Sequence, residues 1–236
     1  MRRRVLATLA VALTFVLFTS RAGAQLHGDA SAQIGGEKRF LVDRPTGGPN
    51  ASFGPVGQLT GHVALLPLVR LGAYFGHDIS PFGGEGSATP PAGAPSARDI
   101  TWGGLRAKIM SPWPHGDARL WLFFGFGYAG VYQRSASLNV SVPGPPGMPP
   151  VSAQRVMHGA GGGFFEVPFG IGASYKLRKP WELCAELGGR AGFAHTGSVY
   201  GAPGPRTTGP EGEGHAPPAG TDRFGIGLTI GVLIDL

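Results

Sequence analysis

From Phe224 to Leu236 the chain alternates without interruption. One row holds Phe224, Ile226, Leu228, Ile230, Val232, Ile234 and Leu236, and the other Arg223, Gly225, Gly227, Thr229, Gly231, Leu233 and Asp235. Successive side chains of a strand point to opposite faces. One face is therefore wholly apolar; the other is small or charged, with Leu233 its only large apolar member. Half-buried strands of soluble sheets are seldom this long. A strand set between lipid and a polar barrel lumen carries this pattern.

The opposite end indicates the compartment. Arg2, Arg3 and Arg4 precede an apolar run from Val5 to Thr19, and Ala22-Gly23-Ala24 follows. That is the order of a secretory signal peptide, with cleavage expected after Ala24. The mature region is then 25–236. The apolar run is shorter than the ~20 residues of a spanning helix. Any membrane crossing must use a closed barrel, which satisfies every backbone group internally. Removing residues 1–24 takes four of the 20 basic residues and none of the 14 acidic ones, leaving a net charge of +2. No basic run or stripe remains, so a nucleic-acid reading loses its main support and no nucleic-acid partner is expected. Cys184 is the sole cysteine, so neither an internal disulfide nor a cysteine metal cluster is possible.

Proline and glycine mark out the topology. Pro-rich loops are expected at Pro81–Ala97, Ser135–His158 and Gly197–Thr221, and short breaks at Leu66–Leu68, Ser111–Asp117 and Arg178–Pro180. Outer-membrane barrels alternate short periplasmic turns with longer external loops. Strands are read at 222–236, 181–197, 159–177, 118–134, 98–110, 69–79 and 52–65. Barrels of this kind usually have an even strand number, which asks for an eighth strand near Gln33–Asp43. Glu37-Lys38-Arg39 disturbs the alternation there, and a seven-stranded sheet or a distorted first strand is the alternative. Pro168 lacks a ladder donor, so a bulge is expected at that point.

In the strand from 118, Leu120, Leu122, Phe124, Phe126 and Tyr128 are placed outside, against Trp121, Phe123 and Gly125. Trp113, Tyr175 and Trp181 suit an aromatic girdle near the short turns, and Phe75, Trp102, Tyr132, Phe193 and Tyr200 one near the long loops. The lumen row is expected to hold Arg70, Asp78, Arg106, Lys108, Glu166, Lys176, Glu182, Glu186, Arg190, Arg223 and Asp235. Lys176 should lie opposite Glu182, and Arg190 diagonal to Glu166. Paired charges of this kind fill a narrow barrel. The sharper alternative is a gated pore in which the pairs break.

Other motifs carry less. Gly125-Phe126-Gly127-Tyr128-Ala129-Gly130 has the spacing of a dinucleotide fingerprint, but it lies within one strand rather than between a strand and a helix. Asn139-Val140-Ser141 is a glycosylation sequon by pattern only. His77 with Ser80, and His195 with Ser198, are the available catalytic material, and surface polarity is the simpler reading of both. No cofactor and no metal are expected.

The mature chain resembles the small outer-membrane β-barrel group, which includes the transmembrane domain of outer-membrane protein A and its eight-stranded relatives. The resemblance rests on the signal peptide, the rhythm of strands and loops, and the final strand. It implies an all-β, antiparallel, up-and-down transmembrane barrel of eight strands with Pro/Gly-rich external loops. It also implies that Leu228, Ile230, Val232, Ile234 and Leu236 form the signal read by the barrel assembly machinery, with Leu236 where the group usually has Phe. Outer-membrane lipid is the expected surrounding, and a monomer the expected state. The function expected is a non-enzymatic scaffold that presents external loops. A narrow channel for small or hydrophobic solutes is the rival, and a lipid-modifying enzyme a further one.

Overall fold

A computed structural model describes residues 27–42, 51–80, 98–113, 116–133, 136–142, 151–200, 214–215 and 220–236. The proposed signal peptide and the Pro81–Ala97 loop lie outside these residues. The strands are β1 (Gly28–Val42), β2 (Ala51–Leu66), β3 (Val69–Ser80), β4 (Arg98–Met110), β5 (Ala118–Gln133), β6 (Ala136–Val142), β7 (Val151–His158), β8 (Gly161–Arg178), β9 (Trp181–Gly197), β10 (Gly214–His215) and β11 (Thr221–Asp235). Eight of them close into an antiparallel ring in the order β1-β11-β9-β8-β5-β4-β3-β2. Outside the ring, β10, β7 and β6 form a three-stranded sheet. Among the described residues no helix is long and apolar enough to cross a membrane.

Alternation explains the ring. In β5, Leu122, Phe124 and Phe126 face outward and are each more than half exposed, while Trp121 and Phe123 on the other row are buried. In β11, Leu228, Ile230 and Val232 are exposed outward, and Thr229 and Leu233 are buried inside. Closure leaves the ring no free sheet edge. The seam joins the first and last strands, with Asp29 opposite Asp235 and Phe40 opposite Phe224. Both described chain ends and the short turns share one rim. The long connections leave from the other.

The structure corrects several sequence expectations. The first strand spans Gly28–Val42, not 33–43. Glu37 and Arg39 keep the inward row and only Lys38 faces out as a charge, so the alternation is intact and the local sequence conceals it. Pro168 makes no bulge. Phe124–Phe169 and Gly127–Glu166 keep one register across it, and Pro168 itself pairs with Arg190. Its missing donor costs two pairs of the β5–β8 ladder and inserts no residue. The segment Ser135–His158 is not a plain loop but holds β6 and β7, and Gly197–Thr221 contributes β10.

A bulge does occur nearer the long-loop rim. Between the Gly163–Thr196 and Phe165–Phe193 pairs, β9 carries one more residue than β8. Ala194 sits there at φ 53°, the left-handed region that a Cβ disfavours by about 1–2 kcal/mol. Ala194→Gly is therefore expected to raise stability by up to ~1 kcal/mol. The same replacement at Ala173, which lies in regular strand, should lower it by a similar amount. Guanidinium midpoints for refolding into vesicles compare the two, and equal shifts would deny strain at Ala194.

Candidate functional site

The inward rows of all eight ring strands converge on one lumen. Their small residues leave space for the long side chains opposite. A Cβ at Gly76 would stand 2.5 Å from the Trp102 ring, and one at Gly188 would stand 2.9 Å from the Phe123 ring. Two apolar clusters occupy the interior. One, toward the long-loop rim, is built from Val56, Tyr74, Ile100, Trp102, Val131 and Phe164, with Val199 among them. The other gathers Trp121, Phe123, Cys184 and Leu233 toward the short-turn rim.

Charge fills the remainder in connected layers. At mid-height Arg106 faces Glu186 two-pronged. Its Nη1 donates to Oε2 at 2.9 Å, its Nη2 donates to Oε1, and its guanidinium lies 3.9 Å from the Phe123 ring centre. Gln58 Nε2 and Trp121 Nε1 also donate to Glu186, at 3.2 and 3.3 Å. Above, Arg190 donates to Glu166 at 2.8 Å, to Glu37 at 3.2 Å and to Gln58 at 2.7 Å. Tyr74 Oη donates to Glu166 at 3.0 Å, and Arg39 Nε donates to Asp78 at 3.0 Å. Below, Asp29 accepts from Arg70 and from Lys108, each at 2.7 Å, and pairs with His62 Nδ1 at 3.0 Å. Asp235 at the short-turn rim meets Arg119 at 3.0 Å and Arg70 at 3.5 Å.

A multiply bonded arrangement of this kind offsets the desolvation of buried ions, which a lone pair often fails to do. A cavity of about 30 Å³ remains between Arg106, Glu186, Arg190 and Tyr74. That is room for roughly one water.

Of the charges expected in the lumen, Arg70, Asp78, Arg106, Lys108, Glu166, Glu182, Glu186, Arg190 and Asp235 point into it, and two do not. Lys176 lies opposite Glu182 in register, yet its side chain is exposed at the short-turn rim. Glu182 instead accepts from Ser174 Oγ at 2.6 Å and pairs with Arg119 at 2.6 Å. Arg223 is exposed on the outside. Phe40 pairs with Phe224 but Leu41 pairs with Asp222, so Arg223 is an inserted residue and Asp222 takes the inward place.

Two girdle expectations also change. Trp102 is 1% exposed inside the lumen. Tyr200 packs against the same apolar cluster and donates to Asp222 at 3.3 Å. Trp113, Tyr175, Trp181, Phe75, Tyr132 and Phe193 are exposed as expected.

Sequence reasoning passed over Asp29, Glu37, Arg39, Gln58, His62 and Arg119. The signal was present. Asp29, Ser31, Gln33, Glu37 and Arg39 share one row of β1, and Gln58, Thr60 and His62 share one row of β2. The side chain of Ser80 lies outside the described ones, and His77, His195 and Ser198 bond elsewhere. His77 Nδ1 bonds Thr101 Oγ1 at 2.8 Å, His195 Nε2 bonds the Asp222 carbonyl at 2.8 Å, and Ser198 Oγ donates to the Gly161 carbonyl at 3.2 Å. Among the described residues no group of His, Cys, Asp and Glu is arranged to hold a metal ion.

No family model and no curated protein matches the chain. Solved structures do. Neisserial surface protein A is 9% identical, with 89% of this chain and 97% of that one covered, at a TM-score of 0.48. A major outer membrane protein from Thermus thermophilus is 12% identical over 88% and 99% of the two chains, at 0.47. Ail, the attachment invasion locus protein of Yersinia pestis, is 10% identical over 89% and 99%, at 0.41. The ring order and its apolar outer row stand independently of these likenesses. The chain is an all-β, eight-stranded, antiparallel up-and-down barrel with an apolar outer row.

Proposed function

We propose that this chain is a non-enzymatic integral outer-membrane protein, whose closed barrel is a scaffold for the segments at its long-loop rim. The supporting observation is the lumen. Buried side chains obstruct it from one rim to the other, and the mid-height Arg106–Glu186 pair is held from three further directions by Gln58, Trp121 and Phe123. Eight strands enclose only enough space for side chains to fill. A barrel of this kind contributes surface rather than passage, and binding residues concentrate on loops held by a rigid scaffold. In this reading the long-loop rim faces outward from the cell and the short turns face the periplasm. Residues 1–24 direct export. The outward row Leu228, Ile230, Val232, Ile234 and Leu236 presents the assembly signal.

Purified protein inserted into a planar bilayer is expected to be electrically silent at neutral pH. Steady single-channel conductance would replace the scaffold reading with that of a narrow channel. Retention of the charge network under those conditions would then have to be tested by replacing Arg106 and Glu186 together.

A further inference from the structure

The β5–β8 ladder does not stop at the ring. Tyr132 pairs with Gly161, and four residues further out on each strand Ala136 pairs with Met157. No residue is gained or lost on either side. The ribbon of β6 and β7 continues to the Val142–Val151 pair. Its seven-residue β6 would reach about 23 Å at ~3.3 Å per residue. Within the ring the far side of β5 is covered by β4, whose last pair is Arg98–Gln133. Beyond that point, among the described residues, β6 is paired on one side only, by β7.

Such an edge is usually blunted by charge, proline or a bulge. The sequence Ala136-Ser137-Leu138-Asn139-Val140-Ser141-Val142 contains no charge and no proline, and its register with β7 is unbroken. The seven residues are also nearly the same read in either direction. Antiparallel to a second copy about Asn139, Ala136 falls opposite Val142, Ser137 opposite Ser141, Leu138 opposite Val140, and Asn139 opposite itself. Apolar positions meet apolar ones on one face, and polar positions meet polar ones on the other.

We propose that β6 is a homotypic docking strand. Two copies of this chain join edge to edge through antiparallel β6 strands centred on Asn139, giving a β7-β6-β6-β7 sheet. The gain is physical. A two-stranded ribbon is marginal in water, and a sheet of more strands with one apolar face is not. β10 adds only Gly214 and His215 beside β7. Pairing would assemble one row from Ala136, Leu138, Val140 and Val142 with Val151, Ala153, Arg155 and Met157 of the register opposite them, apolar except for Arg155 at the position opposite Leu138. The contact is isologous, so it closes at two copies and does not polymerise.

Geometry also sets the arrangement of the copies. A two-fold axis along the barrel axis would leave the two β6 strands parallel or crossed. Antiparallel pairing places the barrels end to end, and so links two facing membranes. This last step rests on the reading of the long-loop rim as the outer one.

Single-cysteine crosslinking tests the register. In a Cys184→Ala background, Asn139→Cys and Val142→Cys are reconstituted separately into proteoliposomes and oxidised with copper phenanthroline. At the two-fold, residue 139 is ~4.5–5.5 Å from its mate between Cα atoms, within the ~4.4–6.8 Å that a disulfide spans. Residue 142 is six residues from its mate, roughly 20 Å. Disulfide dimer is expected at least tenfold more abundant for Asn139→Cys. Vesicles carrying the native chain should cluster, and Asn139→Lys should abolish the clustering.

Equal crosslinking at both positions, no crosslinking at either, or clustering that survives Asn139→Lys would overturn the proposal. Gel mobility with and without boiling is read on every variant. A native chain without a heat-dependent shift would sink the barrel reading itself, whereas a shifted but unpaired chain sinks only the docking strand.

Discussion

Arg106→Ala is expected to destabilise the folded barrel by about 3–5 kcal/mol. Glu186 is 3% exposed and takes both prongs of the Arg106 guanidinium. Removing the arginine takes away both charge-assisted bonds and leaves the carboxylate to neutral donors, Gln58 and Trp121 at 3.2 and 3.3 Å and Gln33, with Lys108 as the remaining nearby cation. It also removes the cation lying on the Phe123 ring. The size of the loss comes from the stranded charge, because a buried pair as a whole is close to neutral against an apolar replacement. The double variant Arg106→Met with Glu186→Met should therefore recover most of what Arg106→Ala loses. Guanidinium titration of the protein refolded into vesicles, followed by tryptophan fluorescence, measures both. A loss below about 1 kcal/mol for Arg106→Ala would mean that water reaches mid-lumen and screens the carboxylate. The closed-scaffold reading would then fail with it.

Ile171→Arg should cost about 2–4 kcal/mol when the barrel folds into a bilayer. Ile171 is 54% exposed on β8, and its register partners Leu122 and Leu187 are exposed on the strands to either side. An arginine there would project from an uninterrupted apolar surface near the middle of the strand, with no carboxylate beside it. The same substitution at a water-facing site of a soluble protein is usually within ±0.5 kcal/mol. The variant thus separates a lipid-facing outer row from a solvated one. Leu177→Arg near the short-turn rim provides the depth control, since the penalty falls to about 0–1 kcal/mol near the interface. Equal costs at the two positions would reject a bilayer around this barrel.

The architecture was legible because period-two alternation depends only on which side of a strand each residue faces. Leu228 to Leu236 and Leu120 to Tyr128 fall on the outer surface for that reason. Alternation fails wherever a residue is inserted. One extra residue in β11 turned Arg223 out and brought Asp222 in, and nothing in the local sequence marks the insertion. Lys176 illustrates a different limit: its register is as expected, but a side chain at the rim can reach solvent and leave Glu182 to Arg119.

The first strand was obscured by a single outward charge, Lys38. Its Nζ lies 5.7 Å from the Phe40 ring centre, the posture of a lysine reaching past apolar groups toward water. In the upper lumen Trp102 read locally as a girdle residue, although it lies on the inward row with Ile100 and packs against Val131. Only the closed ring shows that they face one another. The ribbon of β6 and β7 was hidden by the prolines and glycines around it, which reported a loop where only the stretch 143–150 is rich in them.

The β1–β11 seam has a consequence for how the barrel comes into being. Gly28 N donates to the Leu236 carbonyl at 3.2 Å, and Leu236 N donates back to the Gly28 carbonyl at 2.9 Å. The seam of the ring therefore waits until β11 is in place beside β1. Until then β1 and β11 each expose an unpaired edge. Contacts this distant in sequence are slow to form because the loop must close before they stabilise anything. Exposed edges invite pairing with other chains in the interval. Each chain must be kept apart from its neighbours until the seam closes, and the ring acquires its stability in one late event.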